Sequence, residues 1–331
     1  MTEQIALLEG LLGGLRAAAE LSRLRLLAIC AQGEWTVSEL TQVMGQSQPR
    51  ISRHLKLLAE AGLLERIPEG SWVFYRIAQS GEGAAMARAL CRLLPERDAQ
   101  LTLDRHRLAA VRESRRRQAE QYFDARAHHW DSERELGVDV ARVEAELARQ
   151  FEQETVPSLL DIGTGTGRVL QILARHIGSG LGVDLSRDML AVARANLDRG
   201  TTRNCQVRQA DMYHLPLPNQ AFAAVTLHQV LHYADDPLAV LAEARRVLQP
   251  RGRLLVVDLA QHEEERLRSE RQHRRLGFGD AEMARWFGEL GMVEESVARF
   301  PGERLTVVMW VARVPGQTLG GEGREQRSKA A

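Results

Sequence analysis

The chain has 331 residues, and its 44 basic and 44 acidic side chains give a formal net charge of zero. This balance excludes a global field that would favour nucleic acid or acidic membranes, so any such surface must be local. Hydrophobic residues make up 44% and charged residues 27%, which is ordinary for a globular protein, and the length predicts two or three domains.

The cysteines indicate a reducing environment. Cys30, Cys91 and Cys205 stand far apart and form no CxxC pair, so neither a disulfide framework nor a thiolate zinc site is expected. The sequence shows no charged-then-apolar export signal and no apolar run long enough for a bilayer. We therefore expect a cytoplasmic protein that does not partner a membrane.

A helix-turn-helix is predicted within the first hundred residues. Apolar residues at helical spacing cover 17–31, and a short helix follows, for which Thr36 or Ser38 can serve as the N-cap. Gly45 ends this helix, because glycine tolerates the left-handed backbone that closes helices. Ser47 then caps a second helix.

The second helix has one apolar face, formed by Ile51, Leu55 and Leu58, and a basic outer face. A basic second helix after a glycine turn is typical of helices that enter the major groove of DNA. The residues predicted to reach base edges or phosphates are Gln48, Arg50, Ser52, Arg53, His54 and Lys56. A helical bundle with a solvated arginine face is the alternative interpretation.

A β-hairpin is predicted after the second helix. The segments 63–67 and 72–77 alternate as strands around a short turn. Arg66 or Arg76 is placed to touch the DNA backbone at the adjacent minor groove. The hairpin and the Gly45 break favour DNA binding over a plain helical bundle.

Residues 47–77 resemble the ArsR/SmtB winged-helix repressors, notably in Ser52-Arg53-His54-Leu55 and Ala61-Gly62-Leu63. The resemblance implies a homodimer that reads a palindrome in double-stranded DNA. Members of this family dimerise through terminal helices, and the charged helix predicted over 101–121 fits that role.

Metal sensing is not expected from this resemblance. Thr36 and Ser38 stand where metal-sensing members carry a thiolate pair. Asp104 and His106 match half of another ligand set of the family, but Arg117 replaces its next histidine and cannot coordinate a metal. We therefore interpret Asp104 and His106 as ordinary residues of a helix surface.

The segment 159–167 predicts a ligand site at the end of a buried strand. Asp161 follows two leucines, and glycines then alternate with threonines before helical spacing resumes. Glycine is needed where the backbone turns tightly against a ligand, and the following helix offers free amide donors. The glycines are Gly163, Gly165 and Gly167. Alone, such a loop fits dinucleotide, flavin and S-adenosylmethionine sites alike.

Two later acidic residues favour a nucleoside. Asp184 ends a second strand about 17 residues beyond Gly167, near the spacing of a carboxylate that binds ribose hydroxyls. Asp211 ends a third strand and can accept a hydrogen bond from an adenine amino group, with Leu185 and Met212 as apolar walls for the ring. Dehydrogenases need only the first two acids, so the third favours a nucleoside over a dinucleotide.

Residues 120–313 resemble the class I S-adenosylmethionine-dependent methyltransferases. Asp161 to Gly167 resembles their first motif, Asp184 their ribose acid, and Asp211-Met212 their adenine motif. The strand that leads into His228 is also similar. Further similarity lies in the turn 248–252 before the strand 253–258, although Ala223 and Arg251 stand where an aspartate and a glycine are common. The last strand, 304–311, is expected to be antiparallel.

The histidines expected at the carboxyl ends of the strands are His228, His232, His262 and His273. Each can be a general base near a methyl acceptor or a satisfied polar residue of the pocket. His228 is our first choice for contact with cofactor or acceptor. Methyl transfer can run on proximity alone, so no catalytic residue is assigned. Arsenite methylation needs several cysteines, and only Cys205 falls in this part of the chain, so we do not expect it.

The fold is interpreted as an α+β winged helix-turn-helix domain followed by an α/β doubly wound, Rossmann-like class I methyltransferase domain. The expected boundaries are 1–100 for the DNA-binding domain, 101–150 for a linker with a dimerisation helix and cofactor cap, 151–313 for the methyltransferase-like domain, and 314–331 for a disordered tail. Within the linker, residues 122–131 resemble a cap segment, though core packing by its aromatic residues is the alternative.

The joined architecture resembles ArsR-type regulators that are fused to a methyltransferase-like domain and respond to S-adenosylhomocysteine. This resemblance implies a DNA-binding repressor with S-adenosylhomocysteine or S-adenosylmethionine as its effector. An active methyltransferase of a small molecule, with a regulatory winged helix, is the alternative.

Overall fold

The computed structural model describes residues 2–69, 72–125, 139–152, 155–198 and 202–316. The chain divides into two compact units, residues 1–120 and 121–331. Among the described residues, no helix combines the length and apolarity that a bilayer crossing requires.

The first unit is a winged helix-turn-helix. In chain order its elements are α1 (Thr2–Ala18), α2 (Leu21–Cys30), β1 (Trp35–Thr36), α3 (Val37–Met44), α4 (Gln48–Glu60), β2 (Leu64–Glu69), β3 (Trp72–Ile77), α5 (Gly81–Leu93) and α6 (Ala99–Ala125). The strands form an antiparallel sheet in the order β1-β3-β2. The pairing of Glu69 with Trp72 confirms the predicted hairpin.

Residues at the helix ends explain where most helices of the helix-turn-helix begin and end. Thr36 and Glu39 form a capping box at the start of α3, in which Glu39 Oε2 accepts from Thr36 N at 2.8 Å. Gly45 closes α3 at φ 63°, as predicted. Ser47 occupies the N-cap position of α4, but its side chain makes no capping hydrogen bond, so the predicted side-chain cap is wrong. The segment 17–31 is not one helix, because the chain leaves α1 and Glu20 caps α2.

Helix α6 contributes to the core of the first unit. Leu108 and Val111 are buried in its hydrophobic cluster, so the unit extends past the boundary at residue 100 that the sequence suggested. The interpretation of Asp104 as a surface residue is wrong, because its carboxylate is buried and forms two 2.7 Å hydrogen bonds with the Arg25 guanidinium. His106 is exposed, as expected. The local pattern missed Asp104 because its partner lies in α2.

The second unit is a doubly wound α/β sheet. Its elements are α7 (Val140–Arg149), β4 (Val156–Ile162), α8 (Arg168–Leu173), β5 (Ile177–Asp184), α9 (Arg187–Asp198), β6 (Cys205–Gln209), β7 (Phe222–His228), α10 (Pro237–Val247), β8 (Leu248–Leu259), α11 (Arg266–Arg271), α12 (Asp280–Glu289), β9 (Val293–Pro301) and β10 (Thr306–Arg313), with short 3₁₀ turns at Ala174–His176 and Leu231–Tyr233. The strand order is β6-β5-β4-β7-β8-β10-β9.

The strand directions mark the position in this sheet at which folds of this kind bind ligands. β6, β5, β4, β7 and β8 are mutually parallel, and β10 is antiparallel to both of its neighbours. The predicted doubly wound sheet and its antiparallel last strand are therefore confirmed. The order reverses between β4 and β7, and ligands of such folds bind beyond the carboxyl ends of the strands at that point.

Helices cover both faces of the sheet, so its strands are apolar on both sides. Leu159 packs into one hydrophobic cluster and the next residue, Leu160, into the other. Arg251, at a position where the resemblance leads us to expect a glycine, lies at φ 63°, a backbone region that favours glycine. Val314 is buried and donates its N–H to Gly252 O, so order continues past residue 313. Most of the predicted tail, and the cap side chains at 122–131, lie outside the described residues.

Candidate functional site

The glycine loop between β4 and α8 has a backbone that side chains would disturb. Gly163, Gly165 and Gly167 have φ values of 70°, 49° and 77°. A Cβ at Gly163 would lie 2.2 Å from Val230 Cγ2, so this position must stay bare to let the segment after β7 pack against the loop. A Cβ at Gly165 would meet nothing within 4 Å. The loop is therefore open at Gly165, where a ligand can approach the backbone.

Asp184 is brought to this loop, as the sequence predicted. Its Oδ2 accepts from Gly165 N at 2.9 Å, and its Oδ1 accepts from Ser186 N at 2.8 Å. Burial raises the pKa of Asp184, and these backbone donors oppose the rise. The carboxylate lies at the carboxyl end of β5, where it can accept hydrogen bonds from vicinal hydroxyls.

The next two strand ends offer an apolar wall and an acceptor. Leu185 is 68% exposed, so its side chain is accessible to a ligand. Asp211 is exposed, and its Oδ1 accepts from Tyr213 N at 2.9 Å. Met212 is partly buried against the core. Ala210 N donates to Asp184 O at 3.1 Å, which holds the two strand ends side by side. This surface suits a flat ring with an amino group.

Asp161 and His228 stand at or next to the carboxyl ends of the adjacent strands β4 and β7. The Asp161 side chain is buried, and its Oδ1 accepts from Thr226 Oγ1 at 2.7 Å. Burial raises the pKa of Asp161 to about 6, and the Asp184 charge adds to the rise. Burial lowers the pKa of His228, which ends β7. The neutral imidazole of His228 is therefore favoured near neutral pH.

The raised pKa of Asp161 makes the stability of the second unit depend on pH. In the folded state Asp161 keeps its proton up to about pH 6, whereas in the unfolded chain it loses the proton near pH 3.8. The free energy of unfolding therefore decreases as the pH rises from 3.8 to about 6. The loss is about 3 kcal/mol once both states are ionised. We expect Asp161→Asn to be more stable than wild type at pH 7.5 and similar at pH 4. Urea unfolding of both proteins at the two pH values measures this; an equal difference at both would contradict it.

Sequence reasoning missed Asp258 as a site residue. It is fully buried at the carboxyl end of β8, and its Oδ1 lies 2.7 Å from His232 Nδ1. His232 N also donates to Asp258 Oδ2 at 3.2 Å. The sequence did contain an indication of this residue, because Asp258 lies at the end of a predicted strand, as Asp161 and Asp184 do. The histidine that binds it lies on a different connection, which a local pattern does not reveal.

The outer face of α4 is basic and exposed, as predicted. Gln48, Arg50, Arg53 and Lys56 are exposed, and Ser52 is partly exposed. Two of these cations form long ion pairs at the surface, Lys56 with Glu60 at 3.7 Å and Arg50 with Glu20 at 4.0 Å. Exposed pairs of this kind are weak, so both cations can exchange their partner for a phosphate.

Two residues that were predicted to contact DNA, His54 and Arg76, are partly buried and not freely exposed. Burial lowers the pKa of His54 although Glu20 lies 3.9 Å away, so a cationic phosphate contact is disfavoured for it. The side chain of Arg76 is 14% exposed, and its guanidinium forms ion pairs with Glu34 and Glu65, which neutralise it. Of the two hairpin arginines considered, the exposed one is Arg66.

Comparison with known proteins identifies both segments. Residues 22–66 match the family model described as bacterial regulatory protein, arsR family. Residues 160–256 match the model described as methyltransferase domain. The chain thus carries an ArsR-family helix-turn-helix followed by a methyltransferase domain.

The methyltransferase part is similar to several characterised and uncharacterised proteins. The ubiquinone/menaquinone biosynthesis C-methyltransferase UbiE of Cellvibrio japonicus is 37% identical over 113 residues, which cover 33% of this chain and 45% of that protein. An arsenite methyltransferase of Aquipseudomonas alcaligenes is 35% identical over 111 residues, covering 30% and 32%. The solved structure of YcgJ from Bacillus subtilis has 17% identity and a TM-score of 0.46, covering 53% and 99%. The chain spans less than half of either curated relative named here.

Proposed function

We propose that the protein is a DNA-binding transcriptional repressor whose methyltransferase-like unit binds S-adenosylhomocysteine or S-adenosylmethionine as its effector. The observation that carries this proposal is the joining, in one chain, of the exposed basic face of α4 and a glycine loop to which Asp184 is hydrogen-bonded. The crevice residues are Asp161, Gly163, Gly165, Gly167, Asp184, Leu185, Asp211, Met212 and His228. An enzyme that acts on a free small molecule would need the crevice but not the DNA-reading helix.

A homodimer is supported by an unpaired apolar stripe on α1. Leu8, Leu11, Leu12 and Leu15 are 43% to 67% exposed and recur at helical spacing, so they share one face. Contiguous exposed apolar side chains of this kind mark protein interfaces. Two copies that meet through α1 would present two α4 helices to a palindromic site.

Helix α6 is suited to transmit the effect of ligand binding to the helix-turn-helix, because its side chains contact α3 near both of its ends. Arg115 binds Glu39 of the capping box through contacts of 2.6 and 2.8 Å. Arg107 donates to Val43 O at 3.3 Å, beside the turn to α4. A shift of α6 would therefore move the whole helix that supports α4. Coupling between such sites is typically about 1–3 kcal/mol.

Duplex affinity with and without ligand tests the proposal. A duplex is first selected by the protein from a random pool, and its affinity is measured by fluorescence anisotropy. We expect S-adenosylhomocysteine or S-adenosylmethionine to change this affinity roughly 5-fold to 150-fold, and calorimetry to show heat for the same ligand. Arg53→Ala should weaken duplex binding and leave the heat unchanged. Failure to select any duplex, or equal affinity with and without both ligands, would contradict the proposal.

A second candidate is an active methyltransferase of a small molecule. The buried His232–Asp258 pair favours it, because a histidine oriented by a carboxylate is a common general base. Labelled S-adenosylmethionine with extract fractions distinguishes the candidates, since only the enzyme produces S-adenosylhomocysteine.

A further inference from the structure

The short strand β1 of the first unit is connected to both elements that are expected to read DNA. Its residues Trp35 and Thr36 pair with β3, one of the two strands of the hairpin β2–β3, which we call the wing. Thr36 is also the N-cap of α3, the helix that packs against α4. A displacement of β1 would therefore act on the wing and on the helix-turn-helix together.

Two arginines of α6 contact the tryptophan of β1. The guanidinium carbons of Arg112 and Arg115 lie 5.4 and 4.5 Å from the centre of the Trp35 ring, within the range of a cation–π contact. The two arginines are three residues apart in the helix, so they share one face of α6. The Trp35 side chain is buried, and its Nε1 donates to Ile29 O at 3.0 Å. The arginines therefore meet a ring that is already fixed in the core.

The same arginines hold the backbone that leads into β1. Arg112 Nη2 donates to Gln32 O at 2.8 Å, and Arg115 Nη2 donates to Glu34 O at 2.9 Å. Arg115 also binds the carboxylate of Glu39, the acidic member of the capping box. Burial alone would raise the pKa of Glu39, but the Arg115 guanidinium holds it below its usual value, so this carboxylate stays ionised. Arg115 therefore joins α6 to the start of β1 and to the start of α3.

A chain of side-chain contacts leads from this backbone into the wing. Glu34 Oε1 accepts from Arg76 Nη1 of β3 at 3.0 Å. Arg76 Nε donates in turn to Glu65 Oε2 of β2 at 2.7 Å, so the contacts reach both strands of the wing. The side chains of Glu34 and Arg76 are 13% and 14% exposed, so salt screens their interaction little. Glu34 is thus held by α6 through its carbonyl group and holds the wing through its carboxylate.

We propose that β1 is the junction through which α6 positions the wing as well as α4, with Arg112 and Arg115 as the positioning residues. The inference rests on the DNA binding of the proposed function and extends the control by α6 to a second DNA contact. Arg66 is the exposed arginine of the wing, and its distance from α4 decides whether both elements can contact one duplex. Release of the two arginines from β1 loosens this spacing and weakens the wing contact first.

Hydrogen exchange of the full chain without DNA tests the junction. We expect Arg115→Ala to speed amide exchange roughly 10-fold or more in both α3 and β3, because it removes hydrogen bonds of a charged group from both. Glu34→Gln weakens the contact with Arg76 and should speed exchange in the wing but not in α3. Arg117→Ala is the matched control, since Arg117 is an exposed arginine of α6 that binds Glu113 of the same helix. Faster exchange in α3 with an unchanged wing in Arg115→Ala would overturn the proposal.

A double-mutant cycle on a selected duplex is the second measurement. Arg66→Ala should weaken binding by wild type and reduce the slope of log affinity against log salt, because a phosphate contact is lost. The same change should have little effect in Arg115→Ala, whose wing no longer places Arg66. No effect of Arg66→Ala in wild type, or equal effects in both backgrounds, would overturn the proposal.

The exchange data separate this inference from the proposed function. A protein that selects no duplex contradicts the proposed function, and the junction is then decided by exchange alone. If Arg115→Ala speeds exchange throughout the first unit, Glu34→Gln decides, because it leaves the contacts of Arg115 in place. Unchanged exchange of the wing in a folded Glu34→Gln protein would overturn the junction.

Discussion

Asp184→Asn is expected to abolish the response of duplex binding to adenosyl ligands while the ligand-free protein keeps its duplex affinity. Hydrogen bonds to a charged group contribute about 1.5–3 kcal/mol each, so losing the bonds to two ribose hydroxyls should weaken ligand binding roughly 10²-fold or more. The substitution lies in the second unit, and the exposed α4 face of the first unit is unchanged by it. Calorimetry and anisotropy on one preparation measure both effects.

The matched control is Asp188→Asn. Asp188 is exposed in the first turn of α9, four residues from Asp184, so this variant removes the same charge without touching the loop. It should bind ligand and respond as wild type does. Because Asp184 also accepts from Gly165 N and Ser186 N, melting curves must show that Asp184→Asn is folded. A folded Asp184→Asn protein with an intact ligand response would remove this site from the proposal.

Asp104→Ala should destabilise the first unit by about 3–5 kcal/mol, because it leaves the buried Arg25 guanidinium without its counter-charge. Arg25 also donates to Met44 O, the last residue of α3, at 3.3 Å. The loss should therefore reach the helix-turn-helix and weaken duplex binding as well. Urea unfolding gives the stability, and anisotropy gives the duplex affinity.

A double variant separates charge from packing. Arg25→Met with Asp104→Leu replaces the pair by apolar groups and should recover most of the stability, since a buried ion pair offsets little more than its own desolvation. Glu60→Gln breaks the exposed pair with Lys56 and should cost less than about 1 kcal/mol. If Asp104→Ala is no worse than Glu60→Gln, the pair does not stabilise the unit.

Local patterns were sufficient to predict most helices and strands, and to predict that Asp184 ends its strand near the glycine loop. Glycines, caps and the acids at strand ends act over a few residues, so Gly45, Gly165 and Asp184 were recognised from sequence alone. The crevice also follows from topology, because parallel strands end at one edge. The arsR-family and methyltransferase-domain matches confirm the two parts of the chain.

Contacts between distant segments were not predictable in this way. The partners Arg25 and Asp104 are 79 residues apart, and a charged residue in a helix is most often solvated. Arg76 looked like a free cation on a hairpin until Glu34, 42 residues away, was found beside it. Pairing of this kind depends on how the elements pack against each other, and the spacing of residues along the sequence does not predict it.

The participation of α6 in the core of the first unit sets a minimum size for an independent DNA-reading fragment. A fragment cut at residue 100 would discard Leu108, Val111 and the acid that neutralises Arg25. The cut that respects this core falls near residue 120. Any chimera that exchanges the second unit would therefore have to be joined at or beyond residue 120, in the last turns of α6 or after it.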